Sequence, residues 1–119
     1  MNKYNNSFVN LDNKTFRSVS NSGNGEVSDA TVFHYRQNGP VVMAEYGGGA
    51  IKSGNLLGRI DSSGIITMTY QHFNVANELR TGRCVSTPEI LPNGKLRYHE
   101  SWEWTGGLEG SGASIIEEM

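Results

Sequence analysis

A chain of 119 residues is the length at which one hydrophobic core is the usual solution, so a second domain is not expected. A formal net charge of −2, with no basic stripe to displace phosphate counterions, argues against a general nucleic-acid binder. The single cysteine, Cys84, excludes an intrachain disulfide and a thiolate metal cluster.

The first fourteen residues, MNKYNNSFVNLDNK, carry five asparagines and no apolar run that could form a signal-peptide core. Residues 1–14 read as a flexible tail or a strap over one end of the fold, preceding a single β domain over 15–119. No later stretch approaches the length needed to span a bilayer, so the chain is expected to be soluble and cytoplasmic, with no membrane partner.

From Thr15 onward, short runs rich in β-branched and aromatic residues alternate with glycine and asparagine clusters at intervals of about ten residues. The runs are TFRSVS (15–20), ATVFHYRQ (30–37), VVMAEYG (41–47), AIKSGNLLGRI (50–60), IITMTYQHF (65–73), ELRTGRCVST (78–87), KLRYHESWEWT (95–105) and GASIIEE (112–118). Between them lie NSGNG, NGP, GGG, DSSG, NVAN, LPNG and TGGLEG, all turn chemistry. No stretch shows the apolar spacing of a helix over three turns, which excludes βαβ units and a parallel sheet. The expected fold is all-β: an eight-stranded antiparallel up-and-down meander that closes into a barrel and so leaves no exposed edge.

Two hairpins give explicit register expectations. A turn centred on Asn38-Gly39 opposes Tyr35 to Val42, Phe33 to Ala44 and Thr31 to Tyr46, and puts Phe33, Tyr35, Val42, Ala44 and Tyr46 on one face. A turn centred on Asn93-Gly94 sets Trp102 beside Val85 and Trp104 beside Arg83. In HESWEW (99–104), Glu100, Trp102 and Trp104 share one face, while His99, Ser101 and Glu103 share the other.

Tyr35, Tyr46, Tyr70, His72, Arg83, Glu100, Trp102 and Trp104 are the candidate ligand-binding residues, because small-molecule cavities are mostly aromatic with a few placed polar groups. Glu100 is the sharpest of these: a buried carboxylate must pair, protonate or face a wet cavity. Pairing with Arg83 would make it structural. Facing a cavity would make it a ligand anchor, or a general acid or base. The three histidines, His34, His72 and His99, show no short ligand spacing, so neither a metal nor a cofactor is expected. Cys84 reads as a buried inert thiol. GGGAIKSG (47–54) looks at first like a phosphate loop, but Ile51 precedes Lys52 and a strand follows, so the pattern fails. Gly54 and Gly58 suggest bulges or close backbone approach in a curved sheet.

The patterns FHYRQNG (33–39), EYGGGAIKSGNLLG (45–58), YQHFN (70–74), TGRCVSTPEILPNGKLR (81–97) and HESWEW together resemble a family of short bacterial proteins often labelled N-acetylglutamate synthase, with a fold similar to avidin-like or calycin-like barrels. The resemblance runs from about Phe16 to the C-terminus and implies a barrel, with no catalytic residues to carry over. The synthase label itself conflicts with the residues. An acetyl-CoA-dependent transferase of the common type needs a helix N-terminus to cradle pyrophosphate, and none is legible. No stretch supports assigning a biotin site residue by residue. Three readings stay open: a small-molecule-binding barrel, a barrel enzyme using Glu100 or His72 as acid or base, and a packed structural or partner-binding module. Neither ligand identity nor oligomeric state follows from the residues.

Overall fold

The structure is a computed structural model that describes residues 9–119. Eight strands follow one another as β1 (Thr15–Asn21), β2 (Val32–Asn38), β3 (Val41–Gly48), β4 (Ile51–Ile60), β5 (Ile66–Asn74), β6 (Leu79–Ile90), β7 (Leu96–Gly106) and β8 (Ser111–Glu118). Each pairs antiparallel with the next, and β8 pairs back onto β1 to close the barrel. Closure gives every strand two partners, so no row of unpaired backbone groups is left at an edge.

Period-two alternation decides which side chains enter the barrel. Phe33, Tyr35, Val42, Ala44 and Tyr46 are all buried, whereas His34, Arg36, Met43 and Glu45 face outward. The pairing across this hairpin differs from expectation: Tyr35 opposes Ala44 and Phe33 opposes Tyr46. The turn is the two-residue loop Gly39-Pro40, led by a glycine at φ +60°, as a type II′ hairpin requires. Moving the turn by one residue shifts the pairing by two positions, which preserves the faces.

The β6–β7 hairpin departs in a way that matters more. Its loop has three residues, Pro92-Asn93-Gly94, with Gly94 at φ +85°, and Leu91 and Lys95 close it by a backbone hydrogen bond of 2.8 Å. Trp102 therefore pairs with Cys84, Trp104 with Gly82 and Arg83 with Glu103. A one-residue slip exchanges faces, so Arg83 turns outward and Cys84 and Ser86 turn in.

The two ends of the barrel differ. At the end carrying the short β2–β3, β4–β5 and β6–β7 turns, the interior is filled. Phe16 packs edge-on against Tyr35 and Tyr98, with ring centroids 5.2 and 6.0 Å away. Tyr98 donates to the Gly64 carbonyl at 2.9 Å. Val9 and Leu11 cap this layer, and Leu11 is fully buried. The Gln37 side chain accepts from the Leu11 backbone at 2.9 Å, and the Tyr35 carbonyl accepts from Asn13. Of the segment 1–14 expected as tail or strap, residues 1–8 lie outside the described residues. At the opposite end the β1–β2 connection, residues 22–31, is longer than any other connection between consecutive strands.

Leu11→Ala should lower the unfolding free energy by about 2–4 kcal/mol, the range for emptying a well-packed leucine site. Denaturant titration checks this; a loss under about 1 kcal/mol would mean that Leu11 does not seal the barrel.

Candidate functional site

The loop end of the barrel encloses a cavity of about 50 Å³, walled chiefly by Phe33, Tyr46, Tyr70, Trp102, Trp104 and Met68, with Glu26 and Val27 of the β1–β2 connection at its mouth. The volume admits a few water molecules. Aromatic rings dominate the wall. Trp102 and Trp104 are tilted together at 5.2 Å, Tyr70 meets Trp104 edge-on at 5.9 Å, and Phe33 stacks on Tyr46 at 5.0 Å.

Glycines in the wall make room for these rings. Gly54 stands between Tyr46 and His72 in adjacent strands, and a Cβ added there would lie 2.6 Å from the Tyr46 ring and 2.7 Å from the His72 Cβ. Its missing side chain lets Tyr46 lean across β4, so that its hydroxyl meets His72 Nδ1 at 2.9 Å. Gly82 similarly receives the ring of Tyr70, whose hydroxyl donates to the Glu103 carbonyl. Both glycines serve close approach, as the sequence pattern suggests for Gly54.

The polar groups of the site fall into two clusters. At the floor, Glu100 accepts from Ser86 Oγ at 2.7 Å and Ser114 Oγ at 3.0 Å. The residue keeps some surface, yet its carboxyl is enclosed: burial pushes its pKa above the ordinary 4.5, and the two serine hydrogen bonds oppose that rise only in part. Among the described residues no cation pairs with it. Burial also pushes the Tyr46 and Tyr70 hydroxyls and the Cys84 thiol above their ordinary values, so these groups stay protonated at neutral pH.

At the mouth, His72 is almost wholly buried and uses both ring nitrogens. Nε2 lies 2.8 Å from Glu26 Oε1 and Nδ1 faces the Tyr46 hydroxyl. The tautomer that satisfies both contacts has Nε2 donating to the carboxylate and Nδ1 accepting from Tyr46. Asn74 Nδ2 donates to Glu26 Oε2 at 3.1 Å, and Arg80 Nε stands 3.5 Å from that same oxygen. Burial alone would raise the Glu26 pKa. The hydrogen bonds from His72 and Asn74 and the charge of Arg80 outweigh it and hold the carboxyl below 4.5.

Of the eight residues singled out from the sequence, Tyr46, Tyr70, His72, Glu100, Trp102 and Trp104 line this one cavity. Tyr35 does not: it belongs to the packed layer with Phe16 in the closed half. Arg83 does not either. The three-residue β6–β7 loop turns it to the outer wall, where it pairs with Glu103 and is largely exposed. Glu26, Asn74, Arg80, Ser86 and Ser114 were not singled out. The corrected β6–β7 register accounts for Ser86, and the unusual length of connection 22–31 was the available signal for Glu26. Among the described residues no group of three or more His, Cys, Asp or Glu side chains is placed to hold a metal ion.

An eight-stranded up-and-down barrel with an aromatic interior is the class of fold whose lumen is wide enough for side chains or one small ligand. Within that class the chain belongs to the avidin-like protein family, whose model matches residues 9–119. Barrels of this family typically bind small ligands. Comparison with curated proteins and with solved structures yields no match.

Gly54→Ala should destabilise the fold by about 1–3 kcal/mol, because the new methyl must displace Tyr46 or His72. Differential scanning calorimetry checks it, and an unchanged midpoint would contradict the close packing. Glu100→Gln should gain stability over wild type as pH rises. The folded-state pKa is raised, so ionising Glu100 destabilises the wild type progressively above pH 4.5 and up to the raised value, while Gln has no charge to bury. Thermal unfolding from about pH 4 to about pH 8 at fixed ionic strength reads the difference; a pH-independent gap would contradict it.

Proposed function

We propose that this chain is a small-molecule-binding barrel, with the ligand held among Tyr70, Trp102 and Trp104 and its polar group oriented by Glu100. The observation that carries the reading is the Glu100 carboxyl, placed at the floor of a mostly apolar cavity with two serine donors and no cation among the described residues. A group that resists ionisation can both donate and accept there, which suits recognition of a polar head group by a dry pocket. Membership of a family whose barrels typically bind small ligands supports the same reading.

The cavity as it stands is far below the several hundred Å³ of an ordinary ligand site, so binding requires residues 22–31 to lift from the mouth. Acid–base catalysis is the weaker reading. Both ring nitrogens of His72 are already engaged, by Glu26 and by Tyr46, which leaves the imidazole no site free for proton transfer.

Native mass spectrometry of protein purified from cells, followed by titration of tryptophan emission with whatever co-purifies, tests the proposal. Glu100→Gln should weaken binding by about threefold to tenfold, the usual loss for one neutral hydrogen bond, because the amide nitrogen cannot accept where a carboxyl oxygen does. Arg83→Gln, on the outer wall, should leave affinity unchanged. Equal binding by wild type and Glu100→Gln, or a larger loss in Arg83→Gln, would overturn the assignment.

A further inference from the structure

The donors that hold Glu26 belong to the barrel wall and not to the connection that carries it. His72 and Asn74 lie on β5 and Arg80 on β6, and their imidazole N–H, amide N–H and guanidinium converge on one carboxylate. With Glu26 withdrawn, the wall would still present these three groups around a single point at the cavity mouth. A planar guanidinium beside two further N–H donors is the arrangement that recognises carboxylates in general.

Glu26 fills this place imperfectly. Arg80 Nε is buried and lacks a hydrogen-bond partner, its distance to Glu26 Oε2 being 3.5 Å. The Arg80 terminal amino group turns instead to Glu78 at 3.3 Å, and Glu78 also shares the Asn74 amide at 3.1 Å. At the end of β1, Asn21 Oδ1 is buried without a hydrogen-bond partner while its Nδ2 donates to the Val27 carbonyl of the connection. A buried guanidinium nitrogen left unsatisfied beside a carboxylate marks a fit that a better-placed group could improve.

We infer that His72, Asn74 and Arg80 form a carboxylate subsite that Glu26 occupies in the absence of ligand, and that the ligand is a small organic acid whose carboxylate displaces Glu26. This rests on the reading of the interior as a ligand cavity and names the class of ligand. The exchange replaces one carboxylate by another at Arg80, while Glu26 returns to water with its charge hydrated. A neutral molecule of the same shape would leave Arg80 with Glu78 as its one carboxylate and nothing charged facing its buried Nε, and the site selects against it on that ground. The apolar body of the acid passes inward toward the aromatic wall as residues 22–31 lift.

Calorimetric titration with acetate, butyrate, hexanoate and hexanamide at constant ionic strength tests the inference on wild type, Glu26→Ala and the volume-conserving Glu26→Gln. Hexanoate should bind either variant about tenfold tighter than wild type, because the internal competitor is gone. Affinity for Glu26→Ala should rise about fourfold per methylene from butyrate to hexanoate as the chain enters the cavity. Hexanoate should also exceed hexanamide by about tenfold. Hexanamide binding as tightly as hexanoate would overturn the carboxylate subsite while leaving the cavity reading intact. Binding of no acid by either folded variant, or an identical response to sodium chloride, would overturn the subsite too; the Glu100→Gln comparison judges the cavity separately.

Discussion

The loop end of this barrel depends on one hydrogen-bonded chain, from Glu26 through His72 to Tyr46. It links three parts of the sequence: the β1–β2 connection, β5 and β3. It exists because Gly54, on the strand between, has no side chain to keep the phenol from the imidazole. An imidazole buried this deeply must have both nitrogens satisfied, and each partner is placed by a different constraint. The strand register fixes Tyr46, whereas only the path of residues 22–31 fixes Glu26.

That division explains the asymmetry of the interior. The closed half is filled by Phe16, Tyr35, Tyr98, Val9 and Leu11, and the Tyr98 hydroxyl reaches the Gly64 carbonyl. The loop half leaves a void beneath Glu26, lined by rings of which Tyr46, Tyr70 and Trp104 are each held in place by a hydrogen bond. Trp104 Nε1, for example, donates to the Asn24 carbonyl at 3.3 Å, so the connection is tied to the cavity wall through a second, weaker contact. A mouth held mainly by polar bonds, with Val27 the hydrophobic residue of the connection that packs on the core, opens at lower free energy than a packed core does.

Much of the architecture was legible because period-two alternation and turn chemistry are local. Eight runs, their boundaries to within a few residues and the inner face of HESWEW all follow from such signals. The β6–β7 register did not, because a two-residue and a three-residue loop share the same Pro-Asn-Gly letters and differ by one position. That single position sent Arg83 outward and brought Ser86 to Glu100 in its place. Glu26 was out of reach for a different reason: its role depends on a long connection folding back over the barrel, and no pattern within NSGNGE encodes where such a loop lands. Tyr35 shares its face with the cavity residues, but depth along a barrel axis is not written in alternation.

The most direct test of the Glu26–His72–Tyr46 tie is long-range proton–nitrogen NMR of the three imidazoles at neutral pH. His34 and His99 are exposed, so their ring protons should exchange rapidly with water. His72 should give one slowly exchanging Nε2–H resonance with an unprotonated Nδ1, as donation to Glu26 and acceptance from Tyr46 require. Three rings in fast exchange, or a His72 protonated at Nδ1 alone, would contradict the tie on which the closed mouth and the cavity beneath it depend.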